Sequence, residues 1–127
     1  VAEGAGATPL AAVLFHKLPI KGKKVVCLVS GGNIDVTSLN RVIARGLVKS
    51  GRDCNLVVQT ADKPGQLAEI CTIIGQLGGN IMSVKHDRVD TGNNINGCRL
   101  LIEIETRNMQ HVKEIKQALR EAGFGVD

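Results

Sequence analysis

The most constraining feature of the sequence is an alternating segment near its C-terminal end. Apolar side chains occupy every second position and polar ones lie between them: Cys98, Leu100, Ile102 and Ile104 against Arg99, Glu103 and Glu105. Successive side chains of a β-strand point to opposite faces, so this pattern predicts a strand with one face in a core and the other toward solvent. Leu101 is the one residue that breaks the alternation. The segment therefore predicts a sheet that is covered on one face only.

The elements around this strand follow a recognisable order. A strand is expected over 55–61, a turn at 62–65, a helix with an apolar stripe over 67–77, a strand over 81–90, a hairpin loop over 91–97, a helix over 108–122 and a last strand from Phe124. Two helices would then cover one face of a four-stranded sheet. The order βαββαβ predicts an α+β domain of the ferredoxin-like type.

The first 50 residues follow a different pattern. Thr8-Pro9 reads as a helix start, Val25–Val29 as a strand buried on both faces, and a second helix is capped near Asp35. One such strand cannot bury itself, so we expect it to pack on the second half or on another copy. The chain also begins at Val1 without Met, which suggests a piece of a longer protein. We therefore divide it into residues 1–50, the edge of a larger α/β domain, and residues 51–127.

Composition excludes several function classes. The net charge is +4, but aromatic residues make up only 2% of the chain and none lies on a predicted sheet face, which argues against a nucleic-acid surface. No apolar run reaches the roughly 20 residues of a membrane span, and no leader segment is apparent, so we expect a cytoplasmic protein and no membrane partner. The four cysteines show no zinc-ligand spacing, and the three histidines read as surface residues. We predict no metal site and no catalytic residue.

A glycine-rich turn carries the first resemblance. Ser30-Gly31-Gly32-Asn33 follows the predicted strand, after Glu3-Gly4-Ala5-Gly6-Ala7-Thr8-Pro9 earlier in the chain. Together these segments resemble the end of the catalytic domain of threonine dehydratases, which are pyridoxal-phosphate lyases. The resemblance implies that Ser30 hydrogen-bonds the pyridine nitrogen of the cofactor in the intact protein. That family's Schiff-base lysine and phosphate loop have no counterpart here, so we expect the chain alone to be inactive and to hold no pyridoxal phosphate.

The second half carries another resemblance. Asp62-Lys63-Pro64-Gly65-Gln66-Leu67-Ala68 and Gly78-Gly79-Asn80-Ile81 are similar to the corresponding segments of the ACT domain, an amino-acid-sensing module. The resemblance implies an effector site at a dimer interface, with contacts from Asp62, Gly65, Gln66 and Leu67 of one chain and Asn80 and Ile81 of its partner. A helix N-terminus suits the effector carboxylate, and Asp62 or Asn80 suits its ammonium group. The alternative is a plain turn with a helix cap.

Two functions remain open from the sequence. The first is the C-terminal regulatory region of a threonine dehydratase, which deaminates threonine or serine to a 2-oxo acid, acting as a homodimer that senses an amino acid such as isoleucine, valine or threonine. The second is a free-standing ACT-type sensor or oligomerisation module with no enzyme attached. A third interpretation, an RNA-binding domain of the same topology, is weakened by the missing aromatic residues.

Overall fold

The computed structural model describes residues 1–88 and 97–127, and the chain divides into two units, Val1–Ile43 and Ala44–Asp127. The predicted hairpin loop 91–97 and the end of the predicted second strand lie almost wholly outside the described residues. Among the described helices, none is long and apolar enough to cross a membrane. The elements, in chain order, are α1 (Gly4–Leu14), α2 (Val36–Lys49), β1 (Asp53–Ala61), α3 (Gln66–Gln76), β2 (Asn80–Asp87), β3 (Gly97–Glu105), α4 (Met109–Glu121) and β4 (Gly125–Val126).

The second unit confirms the ferredoxin-like prediction. Its strands form one sheet in the order β2-β3-β1-β4, and each neighbouring pair is antiparallel. Strand β3 is central and alternates between buried and half-buried residues as the sequence predicts. The buried face of the sheet packs with residues of α3 and α4 in a core that is aliphatic except for Phe124: Leu56, Val58, Ile70, Ile74, Leu100, Ile102, Ile104, Ile115, Leu119, Phe124 and Val126.

Local signals explain where the helices of this unit begin and end. Asn108 caps α4, because its Oδ1 accepts a hydrogen bond from the backbone N–H of His111 at 3.0 Å. Gly123, with φ of +92°, ends the same helix in a conformation that costs residues with a Cβ about 1–2 kcal/mol. The chain then returns along β1, and Arg120 Nη2 donates to the Val126 carbonyl at 2.9 Å.

The first unit corrects two predictions. No strand forms over Val25–Val29, and Val26 and Leu28 are 96% and 76% exposed rather than buried. A strand needs a hydrogen-bonded neighbour, and the range 1–43 supplies no second strand to pair with it. Helix α1 begins at Gly4 rather than at Thr8, whose hydroxyl instead donates to the Gly4 carbonyl at 2.9 Å.

The start of α2 agrees with the sequence. Asp35 Oδ1 accepts from the backbone N–H of Ser38 at 2.9 Å, which is the predicted cap. Hydrogen bonds from the Ser38 side chain and then from its backbone N–H lower the pKa of the Asp35 carboxyl below its ordinary value of 3.8. The apolar side of the helix is exposed in the structure, with Val36 at 81% and Val42 at 61%.

Candidate effector site

The predicted turn after β1 is present and leads directly into α3. Lys63 donates its backbone N–H to the Ala61 carbonyl at 2.9 Å, and Gly65 occupies the N-cap position of the helix with φ of +90°. Gly65 has no side chain with which to cap the first turn, and no side-chain cap bond is formed there. The Gln66 N–H donates to the Lys63 carbonyl at 3.5 Å, so the N–H groups of Leu67 and Ala68, together with the positive end of the helix dipole, are those available to an anion.

Two of the predicted contact residues flank this helix start. The side-chain Oε1 of Gln66 accepts a hydrogen bond from the Thr60 hydroxyl at 2.7 Å, which ties the first helical residue to the end of β1. Leu67 is 39% exposed, so its side chain offers apolar surface beside the N–H groups. Gln66 thus has a structural partner already, whereas Leu67 remains open to a ligand.

Asp62 lies at the same end of the sheet and faces two basic side chains. Its Oδ2 is 3.0 Å from Arg88 Nε, and its Oδ1 is 3.7 Å from His86 Nε2. His86 and Arg88 reach the carboxylate from the same side because they are two residues apart along the chain, as strand alternation requires. An effector ammonium at Asp62 would therefore share the carboxylate with Arg88.

The other two predicted residues lie at the opposite end of the sheet. Asn80 begins β2 and donates its side-chain N–H to Glu105 Oε2 at 2.9 Å. Ile81 pairs with Ile104 and packs against the core. Strands β1 and β2 run in the same direction, and β1 has nine residues, so Asn80 lies roughly 27 Å from Asp62 within one chain. One chain therefore does not bring the six predicted residues together.

Asn80 lines a cavity that the sequence did not predict. Its volume is about 350 Å³, and its walls come from the start of β2, the end of β3 and the start of β1. The lining mixes both charge signs with apolar surface: Leu47, Arg52, Asp53, Gly78, Asn80, Met82, Glu103, Glu105, Thr106 and Arg107. The outward positions of Glu103 and Glu105 were visible in the alternation of β3. Arg52 and Arg107 lie just outside β1 and β3, and no sequence pattern indicated that they line the same cavity.

The histidine prediction needs one correction. His111 is 2% exposed rather than on the surface. Its Nδ1 accepts the backbone N–H of Arg107 at 3.1 Å, so the hydrogen resides on Nε2, which donates to the Leu77 carbonyl at 2.9 Å. The ring joins the end of α3 to the start of α4. A histidine on a helix face gives no sequence signal that a carbonyl from another element lies above it.

The strands of the sheet determine how far Cys54 and Cys98 are buried. Cys54 is half-buried in β1, and burial raises the pKa of its thiol above the ordinary value of 9.0. Cys98 is 3% exposed on β3. Burial, and then the Asp62 carboxylate, raise the pKa of its thiol as well.

The Ser30 turn belongs to the first unit and is held by close backbone contacts. A Cβ on Gly6 would overlap the Ser30 carbonyl oxygen, so α1 can approach the turn only with glycine at this position. The Glu3 backbone N–H donates to the Gly31 carbonyl at 3.2 Å. Ser30 is exposed and presents one hydroxyl. One hydroxyl does not make a pyridoxal-phosphate site, so the residues of this chain alone do not fit that cofactor.

Comparisons with known proteins show what the chain is similar to. The family model of the ACT domain matches residues 49–122. The chain is 46% identical over 126 residues to an L-threonine ammonia-lyase of Thermotoga maritima and 43% identical over 125 residues to one of Geobacter sulfurreducens. These alignments cover 99% and 98% of the chain but only 31% of each relative.

A solved structure supports the fold. The prephenate dehydratase from Staphylococcus aureus matches 62% of the chain and 29% of its own with a TM-score of 0.51 at 15% identity. At this identity the likeness concerns the fold alone. The chain spans about a third of the length of the curated relatives that it matches.

Proposed function

Because the chain belongs to the ACT domain family, we propose that it is the regulatory region of a threonine ammonia-lyase and that it senses an amino acid across a pair of chains. The observation that carries the sensing proposal is that an anion-binding group and a cation-binding group lie next to each other after β1. The uncapped start of α3 at Gly65 offers N–H groups to a carboxylate, and Asp62 offers a carboxylate to an ammonium group. An α-amino acid carries both groups on one carbon.

The identity of the parent enzyme rests on two supports. The threonine ammonia-lyases align with nearly the whole chain, including the first unit. Within that unit, Gly6 lets α1 approach the Ser30 turn closely. We infer that residues 1–50 are the end of a pyridoxal-phosphate domain, where Ser30 would contact the pyridine nitrogen. The lysine and phosphate contacts would come from the rest of the protein.

The geometry of β2 supports a paired site. This strand lies at the edge of the sheet, and most of its residues are exposed. An unpaired edge invites a second strand, and a two-fold axis would set two copies of β2 antiparallel. The Asn80 end of one copy would then face the Asp62 end of the other. This arrangement brings together the two groups of predicted residues that lie apart in one chain.

Calorimetric titration tests the sensing proposal. The chain is titrated with isoleucine, valine, threonine, serine and a nucleotide, and saturable heat is expected with at least one amino acid but not with the nucleotide. Asp62→Asn and Asn80→Ala should each weaken that binding, because they alter the two halves of the site. Lys113→Ala, an exposed change on α4, is the matched control and should leave affinity unchanged.

Sedimentation tests the pairing separately. A charge at the edge, Met82→Lys, should shift the chain toward monomer, since Met82 is 56% exposed on β2. A stable dimer with no heat from any amino acid would favour the alternative, an oligomerisation module that has the fold but no ligand. A monomer at all concentrations would refute the paired site.

A further inference from the structure

Three side chains with metal-binding atoms converge at one end of the sheet. They are Asp62, His86 and Cys98, and their ligand atoms all lie within 4.8 Å of one another. Asp62 follows β1, His86 lies near the end of β2, and Cys98 lies near the start of β3. No two of them are close in sequence, so spacing along the chain gave no sign of the cluster.

The register of the sheet explains why they meet. Cys98 pairs with Thr60, and His86 pairs with Leu100. Cys98 and Leu100 are two residues apart and share a face, so their partners share it as well. Asp62 is two residues beyond Thr60. The fold therefore directs a thiol, an imidazole and a carboxylate to one corner of the helix-covered face.

The separations suit a tetrahedral ion. Zinc is bound at about 2.0–2.1 Å by histidine nitrogen, about 2.0–2.2 Å by carboxylate oxygen and about 2.3 Å by thiolate sulfur, which sets ligand atoms roughly 3.5 Å apart. The distance from His86 Nε2 to Asp62 Oδ1 is 3.7 Å. Bringing the thiol to the same spacing takes a movement of about 1 Å or less. The Asp62 and His86 side chains are each more than one third exposed, so neither is packed into the core.

The donor set selects the class of ion. Sulfur with nitrogen is typical of zinc and other late first-row metals, whereas magnesium and calcium prefer all-oxygen sites. We propose that Asp62, His86 and Cys98 form a three-residue binding site for Zn²⁺, with the fourth position of the tetrahedron open to water. The buried sulfur forms the floor of the site, and the two more exposed ligands close over the ion from the solvent side.

Arg88 has a defined place in this site. Its Nε contacts Asp62 Oδ2 at 3.0 Å, and its Nη2 donates to Asp62 Oδ1 at 3.5 Å, the oxygen that lies 3.7 Å from His86 Nε2. The guanidinium thus holds the carboxylate beside His86, as outer partners of metal ligands commonly do. Arg88 is 68% exposed, so it can move outward if the charge of the ion repels it.

The site has a regulatory consequence that rests on the proposed function. Asp62 is also the proposed partner of the effector ammonium group, so ion and amino acid would compete for one carboxylate. Zinc binding itself does not require that effector site. It is therefore tested on the chain without any amino acid, and its failure would leave the sensing proposal untouched.

Cobalt provides the spectroscopic test, because Co²⁺ replaces Zn²⁺ and absorbs in the visible and near-ultraviolet when bound by thiolate. Titration of the reduced chain with Co²⁺ should give one ion per chain, a thiolate-to-cobalt charge-transfer band and a tetrahedral visible spectrum. Added Zn²⁺ should abolish both. Cys98→Ser should remove the charge-transfer band, and His86→Gln and Asp62→Asn should each weaken Zn²⁺ binding by at least about tenfold.

Matched controls use the same residue types elsewhere in the chain. Cys71→Ser and His16→Asn should leave the spectrum and the affinity unchanged. His86→Gln and Asp62→Asn alter partly exposed positions, so they test the site even if the buried Cys98→Ser change impairs folding. A charge-transfer band that survives Cys98→Ser, or Zn²⁺ affinity unchanged in both other variants, would overturn the proposal. So would the absence of one-to-one binding.

Discussion

The buried imidazole of His111 gives a quantitative test of how the two helices of the ACT domain are joined. His111→Ala removes the acceptor of the Arg107 N–H and the donor to the Leu77 carbonyl. Each lost bond costs about 1 kcal/mol, rising toward about 3 kcal/mol where the abandoned group cannot reach water. Both groups are partly accessible, so we expect a loss of about 3 kcal/mol in the free energy of unfolding. For a domain of this size that corresponds to a fall in Tm of 10 °C or more, at roughly 4–8 °C per kcal/mol.

A graded variant separates the two bonds. In His111→Asn the side-chain oxygen takes the place of Nδ1 and still accepts from Arg107, but the shorter side chain cannot reach Leu77. The loss should be about 1–2 kcal/mol, between wild type and alanine. Urea unfolding followed by far-ultraviolet circular dichroism is the assay, since the chain has no Trp or Tyr. His16→Asn, at an exposed position with φ of 52° that asparagine tolerates, is the control. Equal stability of His111→Ala and this control would refute the reasoning.

Three further predictions concern single positions. Gly51→Ala should destabilise the chain by about 2–4 kcal/mol in the same assay, because φ is +67° and the new Cβ would meet the Met109 backbone nitrogen. Gly123→Ala, with positive φ in open space, should cost only about 1–2 kcal/mol. Equal losses would contradict the steric argument. The Asp35 carboxyl should titrate below pH 3.8 in an NMR experiment. Because its folded pKa is depressed, its contribution to the stability of α2 is present above pH 3.8 and is lost as the pH falls through the lowered pKa. Asp35→Asn should remove this acid dependence. The Cys54 thiol should react with iodoacetamide more slowly at pH 8 in the folded chain than in urea, since burial raises its pKa; equal rates would show that the thiol is not shielded.

The sequence predicted the second unit well and the first unit poorly, for a physical reason. Alternation in β3 and the stripe on α3 are local consequences of burial, so they can be read from one segment at a time. The segment Val25–Val29 has the composition of a buried strand, but pairing depends on partners that its own residues do not specify. The same pattern therefore predicted a strand that the structure does not form.

The candidate site also has one part that the local sequence predicts and one part that it does not. The start of α3 at Gly65 was predictable because a Pro-Gly turn before an apolar stripe is a local signal. The meeting of Asp62, His86 and Cys98 was not, since it depends on the register of three strands. Cysteine spacing finds metal sites whose ligands share one loop or helix, and it is blind to ligands that adjacent strands bring together.

In the proposed assembly, the two groups of effector contacts lie at opposite ends of each sheet, so a bound effector must contact two copies of the chain. An amino acid bound between the Asp62 end of one chain and the Asn80 end of its partner contacts both copies, so its binding free energy adds to their association. Such a ligand stabilises the pair by RT ln(1 + [L]/Kd), about 2.7 kcal/mol at one hundred times Kd. That is within the usual range of allosteric coupling, 1–3 kcal/mol. An ion held at Asp62 would reduce this gain by occupying the carboxylate, and it would do so without altering the fold of either copy.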